Sequence, residues 1–341
     1  MNTLTRGAPS PPKDYSACSG CSLCLLVCPV WRRTHDLGMT PHGRAKALQH
    51  GASAADIAAS VESCSLCAAC EPVCPEEIDL VGMTLQLRRQ LVQPAMLGAA
   101  LARMNARTQQ PAAPPLAARA ALLAGAALRG QPNTLARAAA LLGDGAPIAA
   151  LPDDGEDIVE ALIGGVTVPA ARLERFLAPL RRLQRIVVAD GLLLYHLRRW
   201  LPRAQFIGLG EALGSLPALR RQLRASDLYV IEARAYHADY QRQVKYYDGL
   251  RRACGCSFNL DLQRIAIPAA APGLRHGLEP EADDDGGGQA RWILQGRNVA
   301  RIVVEDVEDR AAFERVSRLP VVHLADLADD GISSQCQPFL K

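Results

Sequence analysis

Eight cysteines stand in two matching runs: Cys18, Cys21, Cys24 and Cys28 followed by Pro29, then Cys64, Cys67, Cys70 and Cys74 followed by Pro75. Each member of the second run lies 46 positions after its counterpart, so the pattern is an internal repeat. The spacing, C-x2-C-x2-C-x3-C-P, is that of thiolates ligating iron-sulfur cubanes in two-cluster ferredoxins. Three thiolates on one short loop reach three irons of a cubane when about two residues separate them. The fourth cysteine sits one residue further on and precedes a proline, which lacks an N–H and bends the chain away. In such modules the fourth thiolate serves the other cluster. The expected ligands are therefore Cys18, Cys21, Cys24 and Cys74 for one 4Fe-4S cluster, and Cys64, Cys67, Cys70 and Cys28 for a second. Structural zinc also uses C-x2-C pairs, but a four-ligand site has no use for a third Cys two residues on, nor for the repeated Cys-Pro.

These loops need elements to hold them. Between the runs, a turn at Thr40-Pro41, a helix over 42–50 and a second helix from Ser53, capped with Asp56, span the gap. Helical periodicity resumes over 80–90. Small residues between the ligands (Ser19, Gly20, Ser22, Ala68, Ala69) let backbone amides approach the sulfurs, and Leu23, Leu25, Leu26, Val27, Leu66 and Val73 exclude water. His35, His42 and His50 lie near the runs but are not needed as ligands.

The Cys-rich run, then Thr40-Pro41-His42-Gly43-Arg44, then CSLCAACEPVCP over 64–75 resembles the family of iron-sulfur subunits found in heterodisulfide reductase, glycolate oxidase and anaerobic glycerol-3-phosphate dehydrogenase. His42 is a small departure from the Pro-Arg-Gly-Arg segment common there. The resemblance covers residues 15–92. It implies a two-cluster wire that takes electrons from a flavoprotein dehydrogenase and hands them to a second acceptor such as a quinone. Relatives often carry paired Cys-Cys-Gly motifs further along; this chain has only Cys254-Gly255-Cys256 and Cys336 there, which puts disulfide reductase activity in doubt.

Composition bounds the rest. A chain of 341 residues can bury about three quarters of its unfolded surface and fold as two domains. A hydrophobic fraction of 49% with net charge +3 points neither to disorder nor to nucleic-acid binding. No apolar run is long enough to span a bilayer, and the first residues have neither a secretory apolar core nor twin arginines. With cluster-binding thiols this gives the expectation of a reducing cytoplasm, with any inner-membrane association peripheral and through partners.

Three regions are expected: a helical two-cluster module over 1–93, a linker over 94–152 and an α/β domain with a mostly parallel sheet over 153–341. The stretch 94–143 carries Arg103, Arg107, Arg119, Arg129 and Arg137 with no acid, and prolines divide it into three short helices. Strands are expected at 186–189, 205–207, 228–231, 302–304 and 321–324, alternating with helices at 192–201, 211–223, 237–253 and 310–317. The acidic, glycine-rich 279–288 reads as an exposed loop. Gly208, Gly210, Gly214 and Glu232 come near a dinucleotide fingerprint but miss its spacing by one residue, so tight helix–strand packing is the better reading. Cys254 and Cys256 read as small packed residues at a helix end.

Three functions remain in view. The first is a non-catalytic electron-transfer subunit of a cytoplasmic oxidoreductase complex, joined to a flavoprotein or other redox subunit. The second is a cluster-fed reductase with a nucleotide or quinone site in the α/β domain. The third is a redox sensor or assembly factor with structural clusters.

Overall fold

The computed structural model describes residues 13–111, 119–143, 145–270 and 287–327, which leaves Cys336 and most of the acidic segment 279–288 outside the described residues. Eight strands form two four-stranded sheets in which every pairing is parallel. The first holds β1 (Ala120–Leu123), β2 (Ala149–Ala150), β3 (Arg185–Val188) and β4 (Phe206–Gly208) in the order β2-β1-β3-β4. The second holds β5 (Asp227–Val230), β6 (Ser257–Phe258), β7 (Arg301–Val304) and β8 (Val321–His323) in the order β6-β5-β7-β8. Both halves thus have one topology, the second strand outermost and the third inside.

Alternation along the central strands builds the core. Leu122 and Val187 of the first sheet and Tyr229 and Val303 of the second belong to one buried cluster, so the sheets share an interior. Their sequence neighbours face the other way. Ala121, Leu123, Ile186 and Val188 pack under the helices Glu156–Gly164 and Ala170–Leu180. Leu228, Val230, Ile302 and Val304 pack with Ile293 and Phe313. Burial on both faces is why these strands read as continuous apolar runs.

The cysteine-bearing segment is helical, with Leu80–Leu91 as its spine; Leu80, Met83 and Leu87 pack on Val61 and Ile78. A second face of that helix, Val81 and Leu85, meets Leu192 and Tyr195 of the α/β region. The mixed helical and α/β class expected from the sequence is what the chain adopts.

Three local expectations are corrected. The stretch expected to be an all-helical linker contains β1, an inner strand, between the helices Pro94–Gln109 and Gly125–Arg129, so the α/β region reaches back to residue 120. The single helix expected over 211–223 is split into Leu209–Gly214 and Pro217–Arg220, because Pro217 has no N–H to continue the first. Ser53 and Asp56 do bond reciprocally, Ser53 N and Oγ donating to Asp56 Oδ2 at 2.8 and 2.7 Å, but they close a turn, and the helix starts at Ala58.

Candidate metal centre

The eight thiols are divided between two cavities. One is lined by Cys18, Cys21, Cys24 and Cys74, with Pro41, His42, Ala45 and Leu80. The other is lined by Cys28, Cys64, Cys67 and Cys70, with Pro41, Arg44, Leu80 and Thr84. Each therefore takes three thiols from one run and one from the other, and Pro41 and Leu80 form a wall common to both. Among the described residues no group of His, Cys, Asp and Glu gathers around a single-ion point; the thiols ring a volume.

Backbone geometry follows from the short spacing. Ser22, Leu66 and Ala68 have φ of 64, 55 and 59°, left-handed values that curl each ligand loop and turn its amides inward. Cys28 accepts from the N–H groups of Trp31 and Val30, Cys64 from Leu66 N–H, and Cys67 from Ala69 N–H, while the Thr84 hydroxyl donates to Leu80 O at 2.9 Å. The second cavity is also the deeper: Cys67 and Cys28 are buried, whereas Cys21 of the first is exposed.

The helix Pro41–Gln49 separates the two cavities, and each residue of Thr40-Pro41-His42-Gly43-Arg44 has a task there. The Thr40 hydroxyl caps the helix by accepting from Gly43 N at 3.2 Å, and Pro41 fills the first turn, where no N–H is needed. A Cβ at Gly43 would stand 2.2 Å from Leu37 O, so only glycine fits. His42 Nδ1 meets Ser22 Oγ at 3.3 Å, and Lys46 Nζ donates to Cys18 O at 2.9 Å. Arg44 is buried and donates to Ser60 O at 2.8 Å and Ser60 Oγ at 3.2 Å. Arg88, also buried, donates to Cys64 O at 2.5 Å, Glu62 O and Val61 O at 3.3 Å, and Ile163 O at 3.0 Å.

These groups set the charge. Burial, then the neighbouring Cys28, Cys18, Cys21 and Cys74 sulfurs, push the Cys24 thiol up to about 12. Burial pushes Cys67 up to about 12 and raises Cys28 and Cys70. Cys64 goes the other way: burial raises it, but the Arg44 and Arg88 guanidiniums and hydrogen bonding from Leu66 N–H hold it below the ordinary thiol value. Crowded, desolvated thiols that favour the proton are what a cationic iron core would relieve, since binding takes the thiolate form. The donor set and the inward amides fit cubanes.

Contacts outside the runs carry no sequence signal. His237 Nδ1 lies 2.7 Å from Cys67 O across 170 positions, and Ile265 packs with Val27 and Cys67. Tyr195 donates to Glu71 Oε1 at 3.0 Å and Asp79 Oδ1 at 3.1 Å. No local pattern marks them. The glycines near a dinucleotide fingerprint are close-packing residues: a Cβ at Gly210 would meet Glu305 Cδ at 2.0 Å, and one at Gly214 the Tyr246 hydroxyl at 2.8 Å. Glu232, at the end of β5 where a dinucleotide fold places its ribose acid, instead accepts from Arg234 Nε at 3.1 Å.

A larger cavity of about 660 Å³ lies where the carboxyl ends of both sheets meet. Asp190 follows β3, Glu305 and Asp306 follow β7, and His323 ends β8; Arg103, Asp154, Glu156, Glu160, Arg234 and Glu308 complete the polar wall. Ala124, Leu128, Val159 and Leu193 make the apolar one. Burial lifts Glu305 to about 7, against hydrogen bonds from the Tyr247 and Tyr229 hydroxyls. Burial, then Glu308, lifts Asp306 to about 7. The shared topology of the two halves was missed in the sequence, although β3 and β7 both read Arg-Ile-Val-Val and each is followed within two residues by an acid.

No curated protein and no solved structure matches the chain. Residues 14–78 match the family model of the 4Fe-4S dicluster domain, and with the two thiol-lined cavities in that segment the chain is an iron-sulfur protein of 4Fe-4S type.

Proposed function

We propose that the chain is an electron-transfer subunit of an oxidoreductase complex and holds two 4Fe-4S clusters, an outer one on Cys18, Cys21, Cys24 and Cys74 and an inner one on Cys28, Cys64, Cys67 and Cys70. The observation that carries this reading is the division of the thiols into two adjoining cavities, each with three from one run and the fourth from the other. A bound cubane supplies one-electron storage and release, which no side chain here offers. The chain's own residues do the rest. Thiolates hold the irons, the N–H groups of Val30, Trp31, Leu66 and Ala69 hold the inner sulfurs, and Arg44 and Arg88 offset charge at Cys64. Exposure falls from Cys21 to Cys67, so the outer cavity suits contact with a donor and the inner one faces the α/β region. The donor is a flavoprotein dehydrogenase or another redox subunit, the acceptor a quinone or a further redox subunit, and the complex works in the cytoplasm, reaching the inner membrane only through partners.

The 660 Å³ cavity favours a second reading, a cluster-fed reductase. Its acids Asp154, Glu156, Glu160, Asp190 and Glu308 outnumber Arg103 and Arg234 even with Glu305 and Asp306 protonated and would repel nucleotide phosphates, so this reading takes a neutral or cationic substrate.

Isolation under anaerobic conditions from its own cells tests the first reading. It predicts about eight irons and about eight acid-labile sulfides per chain, a flavin-containing protein in the same fraction, and bleaching of cluster absorption when the flavin's substrate is added. Zinc in place of iron, or turnover of a small substrate by the isolated chain, overturns it.

A further inference from the structure

Three cysteines lie outside the two runs, and two of them meet. Cys254 ends the helix Tyr240–Cys254, and Cys256 directly precedes β6, the edge strand of the second sheet. Gly255 between them has φ 71°, a left-handed conformation that glycine takes without strain. That reversal sets the two side chains near enough for each thiol to shift the other's proton affinity. Cys254 is half-buried, while Cys256 is buried and its Sγ donates to Arg224 O at 3.2 Å. Cys256 beside it lowers the Cys254 thiol to about 6, and Cys254, then burial, raises that of Cys256, so the outer sulfur is the one that gives up its proton first.

The surroundings link this pair to the cysteine module. Cys256 lines an open groove whose facing wall includes Leu26 and Arg32, on either side of Cys28. Arg32 lies 3.5 Å from Asp261 and stacks over Trp292 at 4.2 Å, which holds that wall against the segment after β6.

We propose that Cys254 and Cys256 are a redox pair that passes between dithiol and disulfide. Closing the pair breaks two S–H bonds, forms one S–S bond, and releases two protons and two electrons. Two oxidised cubanes, each taking one electron, accept them; two reduced cubanes and two protons reopen the bond. A one-electron relay thereby gains a two-electron store. The electron partner rests on the relay reading above, whereas the thiol chemistry stands without it.

Trypsin cuts after Arg252 and Arg264 and releases a peptide, 253–264, that contains these two cysteines and no other. The full chain, prepared without oxygen, is equilibrated against mixtures of oxidised and reduced glutathione, alkylated after denaturation and digested. At oxidising mixtures the peptide is expected two mass units light and unalkylated, and it becomes doubly alkylated as the mixture turns reducing. Cys254→Ser, at the less buried sulfur, abolishes the light form. A doubly alkylated peptide in every mixture, a lasting glutathione adduct on Cys254, or a bond from Cys254 to Cys336 overturns the proposal. The same digest on iron-free chain reports on the thiols alone, so loss of the cluster reading and loss of this one are separate results. The electron partner is tested by dithionite added to the oxidised protein: reopening at least ten times faster with clusters loaded than in iron-free chain supports it, and equal rates overturn it.

Discussion

At the scale of single residues, a few side chains hold the thiol loops from behind. Arg88 donates to four main-chain carbonyls, one of them Cys64 O, and has no exposure to water. Arg88→Met keeps most of the volume but leaves those buried carbonyls without a donor, at a cost of about 3 kcal/mol. Denaturant titration should give a correspondingly lower midpoint, and the inner cluster should be lost first on warming. An unchanged midpoint would mean that water replaces the guanidinium. The eight cysteines were legible in the sequence because ligand spacing on a short loop is a local property. His237 against Cys67 was not, since that contact exists only once the helix Ala233–His237 has packed on the distant ligand loop.

At the scale of elements, glycines report where helices approach too closely for a side chain. Gly191 opens the helix Gly191–Trp200, and a Cβ there would stand 2.1 Å from Glu232 Oε2 and 2.5 Å from Ala235 N of the helix Ala233–His237. Gly191→Ala therefore has to push the first half of the α/β region away from the second, at about 2 kcal/mol. Gly98, inside the helix Pro94–Gln109, has nothing within 4 Å of the same position. Gly98→Ala should stabilise by about 0.5–1 kcal/mol, because alanine loses less freedom on entering a helix. Thermal melts of the two variants should shift in opposite directions; a shift of the same sign would contradict the packing described. The strands β3, β5, β7 and β8 were readable from β-branched runs. β1, Ala-Ala-Leu-Leu, was not: its composition favours helix, and only pairing with β2 and β3 on either side makes it a strand.

At the scale of the whole molecule, buried titratable groups make stability depend on pH in two opposed ways. Glu305, lifted by burial from 4.5 to about 7, keeps a proton in the folded chain that the unfolded chain has released. Its contribution therefore favours folding at the acid end and is lost as pH rises through about 7. His196, held down by burial from 6.5 to about 4, stays neutral in the fold while the unfolded chain binds a proton. The stability it supplies is present above 6.5 and lost as pH falls toward 4. Each effect amounts to about 3 kcal/mol over its window. Glu305→Gln should remove the decline between pH 5 and 7, and His196→Asn the decline below 6.5, in denaturation midpoints measured across pH. If the slopes of both variants match the parent chain, those groups are not buried as described. The division into two like sheets belongs to this scale as well. Strand runs show that parallel sheets exist, but not which strands pair, so one sheet was expected where two share a core.

The central claim is that the two cysteine runs exchange their fourth thiols. Electron paramagnetic resonance of the anaerobically reduced Cys74→Ala protein tests it most directly, set against Cys21→Ala and Cys64→Ala. The interleaved arrangement predicts that Cys74→Ala leaves the same residual signal as Cys21→Ala, because both damage the cavity of Cys18, Cys21, Cys24 and Cys74. A residual signal that instead matches Cys64→Ala would mean that each run closes on its own cluster, contradicting the account.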